Sequence, residues 1–414
     1  MQRFVGFVYA EVVMRCNERG QDEIVIGIEP HRGIARRCSQ CQRPSPGYDQ
    51  LEERRWRFVP LWNIPTYLRY RPRRVKCSEH GIVVEHMPWN VGKRPVAKAM
   101  MDVLAYWARH LSWRETARTF RTSWEAVYRS VEWMVEFGLA NRVLKDVKAI
   151  GVDEIHWGRG KKADQFLTVI YQIDAGCRRL LWVGRRRTKA TLRQGLKTLG
   201  PEVVSQIQFV CSDMWKAFLT VLGTEVKQAL HVLDRFHIVQ HLNKAVDQVR
   251  RAESARLRVS GKQQAAELKN MRWKLLRRGS RVLGKARQKI KALLASKADT
   301  GLAWQLKETF AHFWTYKSVA WAAAFLGYWC EEAERSGLEP MQKVSRMLQS
   351  HQALILNWFR AKGELSSGAV EGLNNKIRVV TRRSYGFRTY HAMEIALYHN
   401  LGHLPEPEFT HRFR

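Results

Sequence analysis

Acidic residues are scarce in this chain. Against 71 Lys and Arg there are 38 Asp and Glu, giving a formal net charge of +33 over 414 residues. Such an excess of cations favours a polyanion as partner, because every phosphate contact releases condensed counterions. Nucleic acid is the leading partner class. A basic membrane-surface protein would gather its charge on one amphipathic stripe, whereas here the charge runs through folded-looking segments. Apolar runs long enough to span a bilayer are missing, as is an N-terminal apolar stretch ending in a small-residue cleavage site, so the expectation is a soluble, unexported protein. Cysteines are few and odd in number, seven in all. Cys16, Cys177, Cys211 and Cys330 lie scattered in apolar surroundings typical of buried free thiols, which points to a reducing compartment and not to a disulfide framework. What the chain does have is 45% hydrophobic residues, enough for real cores, and a length that allows two to four structural units.

Strand-like alternation covers Phe4 to Val13 and Glu23 to Ile28. Cys38-Ser-Gln-Cys41 follows and, after a long basic span, Cys77-Ser-Glu-His80. Two thiolates two residues apart can close on one tetrahedral ion, and a second Cys-x-x-His knuckle supplies the remaining ligands. Zinc held by Cys38, Cys41, Cys77 and His80 is therefore expected, with His86 a weaker choice for the fourth ligand. Between the knuckles, Trp56 to Val59 and Tyr67 to Tyr70 read as strands of a ribbon. From Pro95 to Leu139 the pattern turns helical. Ser112-Trp-Arg-Glu115 is a capping box opening a short helix from Arg114 to Phe120, and Ser123 caps a longer one from Trp124 to Phe137. A short helix, a tight turn and a longer helix is the outline of a helix-turn-helix, whose second helix would enter the major groove. Arg114, Arg118, Arg121, Trp124 and Arg129 are its expected DNA contacts.

The segment Ile150 to Trp157 reads as a strand carrying Asp153 near its middle, followed by a charged turn from Gly158 to Lys162. Phe166 to Ile173 and Leu180 to Val183 complete an antiparallel meander. An amphipathic helix from Thr188 to Leu199 leads to Ile207-Gln-Phe-Val-Cys-Ser-Asp213, a buried-type strand that delivers a second acid at its C-terminal end, where α/β sheets often place ligands. After a helix from Met214, Ala229 to His237 is a further strand entering a helix. The order β-β-β-α-β-α-β is that of a ribonuclease-H-like core. Residues 241–350 read as an all-α insertion, dense in Lys and Arg from Lys269 to Lys291. It reads as basic on one surface and packed on the other, and the length of the charge run with the aromatic interleaving from Trp304 to Trp329 suggests nucleic-acid backbone binding.

Beyond it, Ser367 is placed to cap a helix whose Val370, Leu373, Ile377 and Val380 form an apolar stripe. Glu371, Asn374, Asn375 and Arg378 share the opposite face, which presents a third acid from a rigid element. Two divalent cations about 4 Å apart can activate a nucleophile and stabilise the leaving oxygen of a phosphodiester, and Mg²⁺ needs only two or three carboxylates to be held. Three converging carboxylates repel one another without such a metal.

Taken together, Gly151-Val-Asp153-Glu154, Ser212-Asp213-Met214-Trp215, Asp234-Arg-Phe-His237, Val370-Glu371-Gly372-Leu373-Asn374 and Arg383-Ser-Tyr385-Gly386-Phe387-Arg388 resemble the bacterial insertion-sequence DDE transposases of the ISL-three (ISL3) family. The likeness covers nearly the whole chain. It implies that Asp153, Asp213 and Glu371 are the catalytic acids holding two Mg²⁺ or Mn²⁺ ions. It also implies that Asp234 and His237 form an Asp-x-x-His element near the site, with Asn374 and Asn375 beside it and Arg378, Arg382 and Arg383 as further DNA contacts. His80 stands where many relatives carry Cys. The resulting expectation is an α/β multidomain protein with a ribonuclease-H-like core. Residues 1–92 form N-terminal strands and a zinc ribbon, and 93–141 a helix-turn-helix. Residues 145–240 and 351–403 form the two parts of the core, 241–350 the insertion and 404–414 a tail. Such a protein would bind the terminal inverted repeats of a mobile element, cleave a DNA strand and transfer its 3′ hydroxyl, as a homodimer or larger assembly in the bacterial cytoplasm and nucleoid. The alternatives are a regulator derived from a transposase with its chemistry lost, and a structure-specific nuclease of the same fold.

Overall fold

Seven short strands, paired in two separate sheets, open the computed structural model, which describes residues 3–18, 20–158, 165–260, 262–296, 298–361 and 368–408. Most of the charged turn expected after Trp157 (residues 159–162), the expected cap Ser367 and the last six residues lie outside the described set. The chain divides into unit 1, residues 1–143 with 378–414, and unit 2, residues 144–377.

Unit 1 begins with β1 (Phe7–Cys16), β2 (Asp22–Pro30), β3 (Gly47–Gln50), β4 (Arg54–Leu61), β5 (Ile64–Tyr70), β6 (Arg73–Cys77) and β7 (Gly81–Val84). Four of them form a sheet in the order β1-β2-β5-β4, and the other three form the sheet β3-β6-β7. Trp56–Val59 and Tyr67–Tyr70 thus pair with each other as expected, but in the four-stranded sheet and not in the ribbon that carries the cysteines. The reason is packing. Trp56, Phe58 and Leu68 are fully buried in a core with Ile26 and Trp89, too large an apolar surface for a small ribbon to cover. Cys16, expected to be buried, is exposed at the end of edge strand β1.

Three helices follow, α1 (Lys98–Ala108), α2 (Trp113–Thr119) and α3 (Trp124–Asn141). Ser112 accepts a hydrogen bond from Glu115 N while the Glu115 carboxylate accepts from Ser112 N, so the capping box is formed. Ser123 Oγ accepts from Ala126 N and starts α3. Between the helices Arg121 sits at φ 49°, with Arg121 N bonded to Arg118 O and Thr122 N to Ala117 O, the left-handed helix ending that reverses the chain in a few residues.

Unit 2 holds β8 (Ala149–His156), β9 (Phe166–Asp174), β10 (Cys177–Arg185), α4 (Lys189–Leu199), α5 (Pro201–Gln206), β11 (Phe209–Ser212), α6 (Lys216–Glu225) and β12 (Leu230–Leu233). The five strands lie in the order β10-β9-β8-β11-β12. The β10-β9-β8 meander is antiparallel, while β11 runs parallel to both β8 and β12. On one face Ile150, Val152, Ile170 and Val210 pack with Leu192 and Leu196 of α4 and Phe218 and Val221 of α6. The expected element order is present with one short helix, α5, added.

A helical body follows, built from α7 (Arg235–Ser260), α8 (Lys262–Asn270), α9 (Arg272–Leu275), α10 (Gly284–Ala295), α11 (Asp299–Phe310), α12 (Val319–Arg335), α13 (Glu339–Ser350) and α14 (Gln352–Arg360). No strand interrupts it among the described residues. Much of the aromatic block lies on the packed side expected of this insertion, while Trp321 and Tyr328 are exposed. Phe310, Phe313 and Trp329 are fully buried, and Trp329 Nε1 donates to Leu306 O at 2.8 Å.

Helix α15 (Ala369–Arg383) belongs to unit 2 through Ile377 and to unit 1 from Arg378, and α16 (Tyr390–Leu401) lies wholly in unit 1. Residues 351–403, expected as one piece of the core, are divided because α16 buries Met393, Ile395 and Leu397 and packs on α3. The guanidinium of Arg383 donates to the carbonyls of Ala108 and Arg109 at the end of α1 and to Asn400 Oδ1.

Candidate active site and metal centre

The three-stranded sheet exists to place four side chains. Cys38 and Cys41 lie on the loop before β3, Cys77 ends β6 and His80 lies in the turn to β7. Their ligand atoms all fall within 4.8 Å of one another, the only such group among the described residues. Cys41 Sγ lies 3.7 Å from Cys77 Sγ, and His80 Nδ1 lies 3.6 Å from Cys77 Sγ and 3.8 Å from Cys38 Sγ. A tetrahedron with Zn–S of about 2.3 Å and Zn–N of about 2.0 Å has edges of roughly 3.5 to 3.8 Å, so the set fits zinc through Nδ1 of His80. Backbone N–H groups of Glu79 and His80, together with the imidazole, pull the Cys77 thiol down to about 6, toward the thiolate a metal requires. His86 is not in the group.

The residues read as DNA contacts separate into two kinds. Arg114, Arg118, Arg121, Trp124, Arg378 and Arg382 are exposed, with Trp124 at 60%. Arg129 is half committed, bonded to Glu132 at 2.9 Å. Arg383 is spent on the protein itself, clamping the end of α1 as described.

The acids come together through strand register. Val152, Ser212 and Leu233 are matched across the parallel strands β8, β11 and β12. Asp153, Asp213 and Asp234 are each the next residue, so three aspartates stand in a row, with neighbouring strands about 4.8 Å apart. Along β8 the period of two sends Ile150 and Val152 to the α4/α6 face and Gly151 and Asp153 to the opposite one. There α15 lies close: a methyl carbon on Gly151 would be 2.5 Å from Val370 Cγ2. That approach brings Asn374 Nδ2 within 2.5 Å of Asp153 Oδ2, while Asn374 Oδ1 accepts from the buried Tyr171 hydroxyl at 2.8 Å. Glu371, one turn before Asn374, sits on the same helix. The apolar stripe predicted for it, Val370, Leu373, Ile377 and Val380, is buried.

Asp153 is 6% exposed, and burial raises its pKa, with the Asp213 charge adding to the rise and His237, Glu154 N–H and Asn374 opposing it. Asp234 caps α7 by accepting from Phe236 N at 2.9 Å, with His237 Nε2 4.0 Å from its other oxygen. Its pKa is raised first by burial and then by the charges of Asp153 and Glu371. Asp213 Oδ1 accepts from Trp215 N at 3.0 Å. The carboxylates therefore feel one another without closing to the spacing of the cysteine cluster. Asn375, on the same helix, is exposed.

One part of the site escaped the sequence reading. Glu154 bonds Arg187 at 2.5 Å, and the Arg187 guanidinium carbon lies over Trp215, 4.0 Å from the ring centroid. Burial, then the Asp213 charge, pushes the Glu154 carboxyl up to about 8. Glu154 Oε2 and Arg187 Nε are buried without a hydrogen-bond partner. Glu154 was visible beside Asp153. Arg187, at the end of Arg185-Arg186-Arg187, looked like one more surface cation. Glu154 Oε2, buried and unpaired beside the acid row, is a hard oxygen donor of the kind a small divalent cation takes.

Comparison with known proteins places the chain among transposases. The sequence model of the ISL3 transposase family matches residues 150–397, and that for the zinc finger of the IS204/IS1001/IS1096/IS1165 transposases matches residues 35–80, which include all four cluster residues. The transposase for insertion sequence element IS1001 of Bordetella parapertussis is 25% identical over 353 residues, 85% of this chain and 85% of that protein. The transposase for IS1557 of Mycobacterium tuberculosis (strain CDC 1551 / Oshkosh) is 27% identical over 408 residues, 92% of this chain and 89% of that protein.

Proposed function

The chain belongs to the ISL3 family of transposases, and on that premise we propose that it binds the terminal inverted repeats of an insertion sequence, cleaves a DNA strand there and joins the freed end to target DNA. The observation that carries this reading is the row formed by Asp153, within β8, and by Asp213 and Asp234, just past the ends of the parallel strands β11 and β12, on the sheet face that the helix bearing Glu371 approaches. We read the sheet β10-β9-β8-β11-β12 as a ribonuclease-H-like core and α7 to α14 as its helical insertion. Asp153, Asp213 and Glu371 would hold the divalent ions. When bound, Mg²⁺ or Mn²⁺ supplies activation of the nucleophile and charge relief at the leaving oxygen.

Asn374 donates to Asp153 and is itself held by Tyr171, which fixes the carboxylate on the α15 face. Arg187, bound to Glu154 and stacked on Trp215, steadies the turn carrying Asp213. In cleavage, water adds to phosphorus as the bond to the 3′ oxygen breaks, leaving a 3′ hydroxyl and a 5′ phosphate. In transfer, that hydroxyl forms a new phosphodiester with target DNA while a target 3′ oxygen leaves. We read α2, its tight turn and α3 as a helix-turn-helix, with Arg114, Arg118, Arg121 and Trp124 facing DNA and Arg378 and Arg382 adding backbone contacts. The zinc ribbon would serve the same end recognition. An element has two ends, so a homodimer or larger assembly on nucleoid DNA in the cytoplasm is proposed.

The test incubates DNA flanking the gene with purified protein and Mg²⁺ or Mn²⁺, beside Glu371→Gln. Metal-dependent breaks at inverted repeats, lost in the variant, are expected. Specific binding with no breaks in either protein would overturn the catalytic reading.

A further inference from the structure

The helical body contains a cavity of about 130 Å³ that the proposed chemistry leaves unused, walled by residues of α7 and α11, the turn after α9 and Trp314. It begins one residue beyond the aspartate row, because Arg235 follows Asp234 directly. Holding a water takes roughly 10–15 Å³ of such space, so the cavity has room for a ring system.

Its charges are unbalanced. Lys307 also lines the cavity, but its ammonium is spent on Glu308 at 2.8 Å and on the carbonyls of Leu275 and Arg277. Glu308 in turn accepts from Gly279 N. Arg235 and Arg278 have no carboxylate partner among the described residues. They repel each other strongly enough to add to the effect of burial in lowering the pKa of Arg235. Arg235 is half-buried and Arg278 exposed, and with both residues on the cavity wall an anion bound there would have two cations within reach.

Its polar atoms are unbalanced too. Trp314 Nε1, a donor, and Asn243 Oδ1, an acceptor, are buried without partners. Each such group costs stability until it is paired. The Arg235 guanidinium lies 5.0 Å from the Trp314 ring centroid. A ligand that satisfies the whole set is a flat ring with donors and acceptors on its edge, joined to a phosphate.

We propose that this cavity receives an unpaired nucleotide of the DNA strand being processed, its phosphate at Arg235 and Arg278 and its base beside Trp314, with Asn243 and the indole N–H on the base edge. The proposal rests on the DNA-processing reading above and adds to it a site for one extruded base, which no comparison assigns.

The test measures affinity of the full chain for two duplexes of the flanking DNA, one fully paired and one carrying a single unpaired nucleotide near the element end. Wild type should favour the second by about tenfold, within the range that hydrogen bonds to a base edge supply. Arg235→Gln with Arg278→Gln should weaken both duplexes and abolish the preference. Asn243→Leu, which changes no charge, should reduce the preference while leaving affinity for the paired duplex unchanged. Circular dichroism checks that each variant folds. Equal affinity of wild type for both duplexes, or an intact preference in both variants, would overturn the pocket and leave the transposase reading standing. Failure of wild type to bind either duplex would overturn the DNA-processing reading itself.

Discussion

Replacing Gly151 by alanine should separate the acid row from its helix. The added methyl carbon would meet Val370 Cγ2 at 2.5 Å and Ile173 Cγ2 at 3.2 Å, where ordinary contact is 3.4–4 Å. Val370 cannot easily turn away, because a β-branched side chain in a helix has one strongly favoured rotamer. The helix must therefore withdraw by about 1 Å, since close-packed interiors have no slack. Overpacking of this kind costs about 1–3 kcal/mol, and removing a glycine from a strand returns roughly 0.5–1 kcal/mol. The net loss of about 1–2 kcal/mol lowers the melting temperature by roughly 3–6 °C in a unit of this size. Activity should suffer more. A 1 Å shift breaks the Asn374 bond to Asp153 and displaces Glu371, and misplacement on that scale costs about 100-fold in rate. The assay pairs thermal denaturation with strand cleavage for Gly151→Ala, Val370→Ala and the double variant. Removing the Val370 methyl groups should restore much of the rate, with a coupling of about 1 kcal/mol or more. Wild-type cleavage by Gly151→Ala, or a double variant no better than the single, would refute the argument.

Two further outcomes follow from unit 1. Cys41→Ser, or prolonged chelation, should release one zinc per chain and expose residues 35–50 and 73–85 to protease, because the ribbon's own core is only Cys38, Val75 and Cys77 with two half-buried neighbours; retained metal with unchanged protection would contradict this. His399 is buried with neither ring nitrogen bonded, and burial, then the charge of Arg109, pushes its pKa from 6.5 down to about 3. The unfolded chain therefore takes up this proton first as pH falls. The contribution is complete above about pH 6.5 and declines toward pH 3 by up to about 1.4 kcal/mol per unit. Between pH 7.5 and 5, wild type should lose about 2 kcal/mol more than His399→Leu in denaturant titrations, and parallel losses would disprove the assignment.

Local chemistry carried much of this fold on its face. The capping serines of α2 and α3, the stripe of α15 and the cysteine knuckles depend on residues at most a few positions apart, and all are formed. What depended on distant packing was harder to read. Trp56 and Phe58 looked like ribbon residues because their partners Ile26 and Trp89 are some thirty positions away on either side. Which aromatic residues of the insertion would pack was not legible, because an aromatic side chain in sequence carries no sign of whether another helix covers it; Phe310, Phe313 and Trp329 are the ones covered. Arg383 resembled a DNA contact, and only the folded chain shows its guanidinium turned onto α1. The aspartate row sits between these cases. Each acid was legible on its own strand, whereas their alignment is a property of parallel register, which no single strand encodes.

Unit 1 is built from two stretches of chain with all of unit 2 spliced between them. A product truncated between Val143 and Arg378 would keep the zinc ribbon and the first three helices. It would lack α16 as a cover for α3 and the Arg383 clamp on α1. Such a stub would emerge with bare apolar surface and meet proteases or aggregation before it met DNA. An early stop codon or a frameshift in this gene is therefore a poor source of a competing binder that would restrain the full-length enzyme. A working competitor has to be engineered, by fusing residues 378–408 onto a chain that ends near Val143.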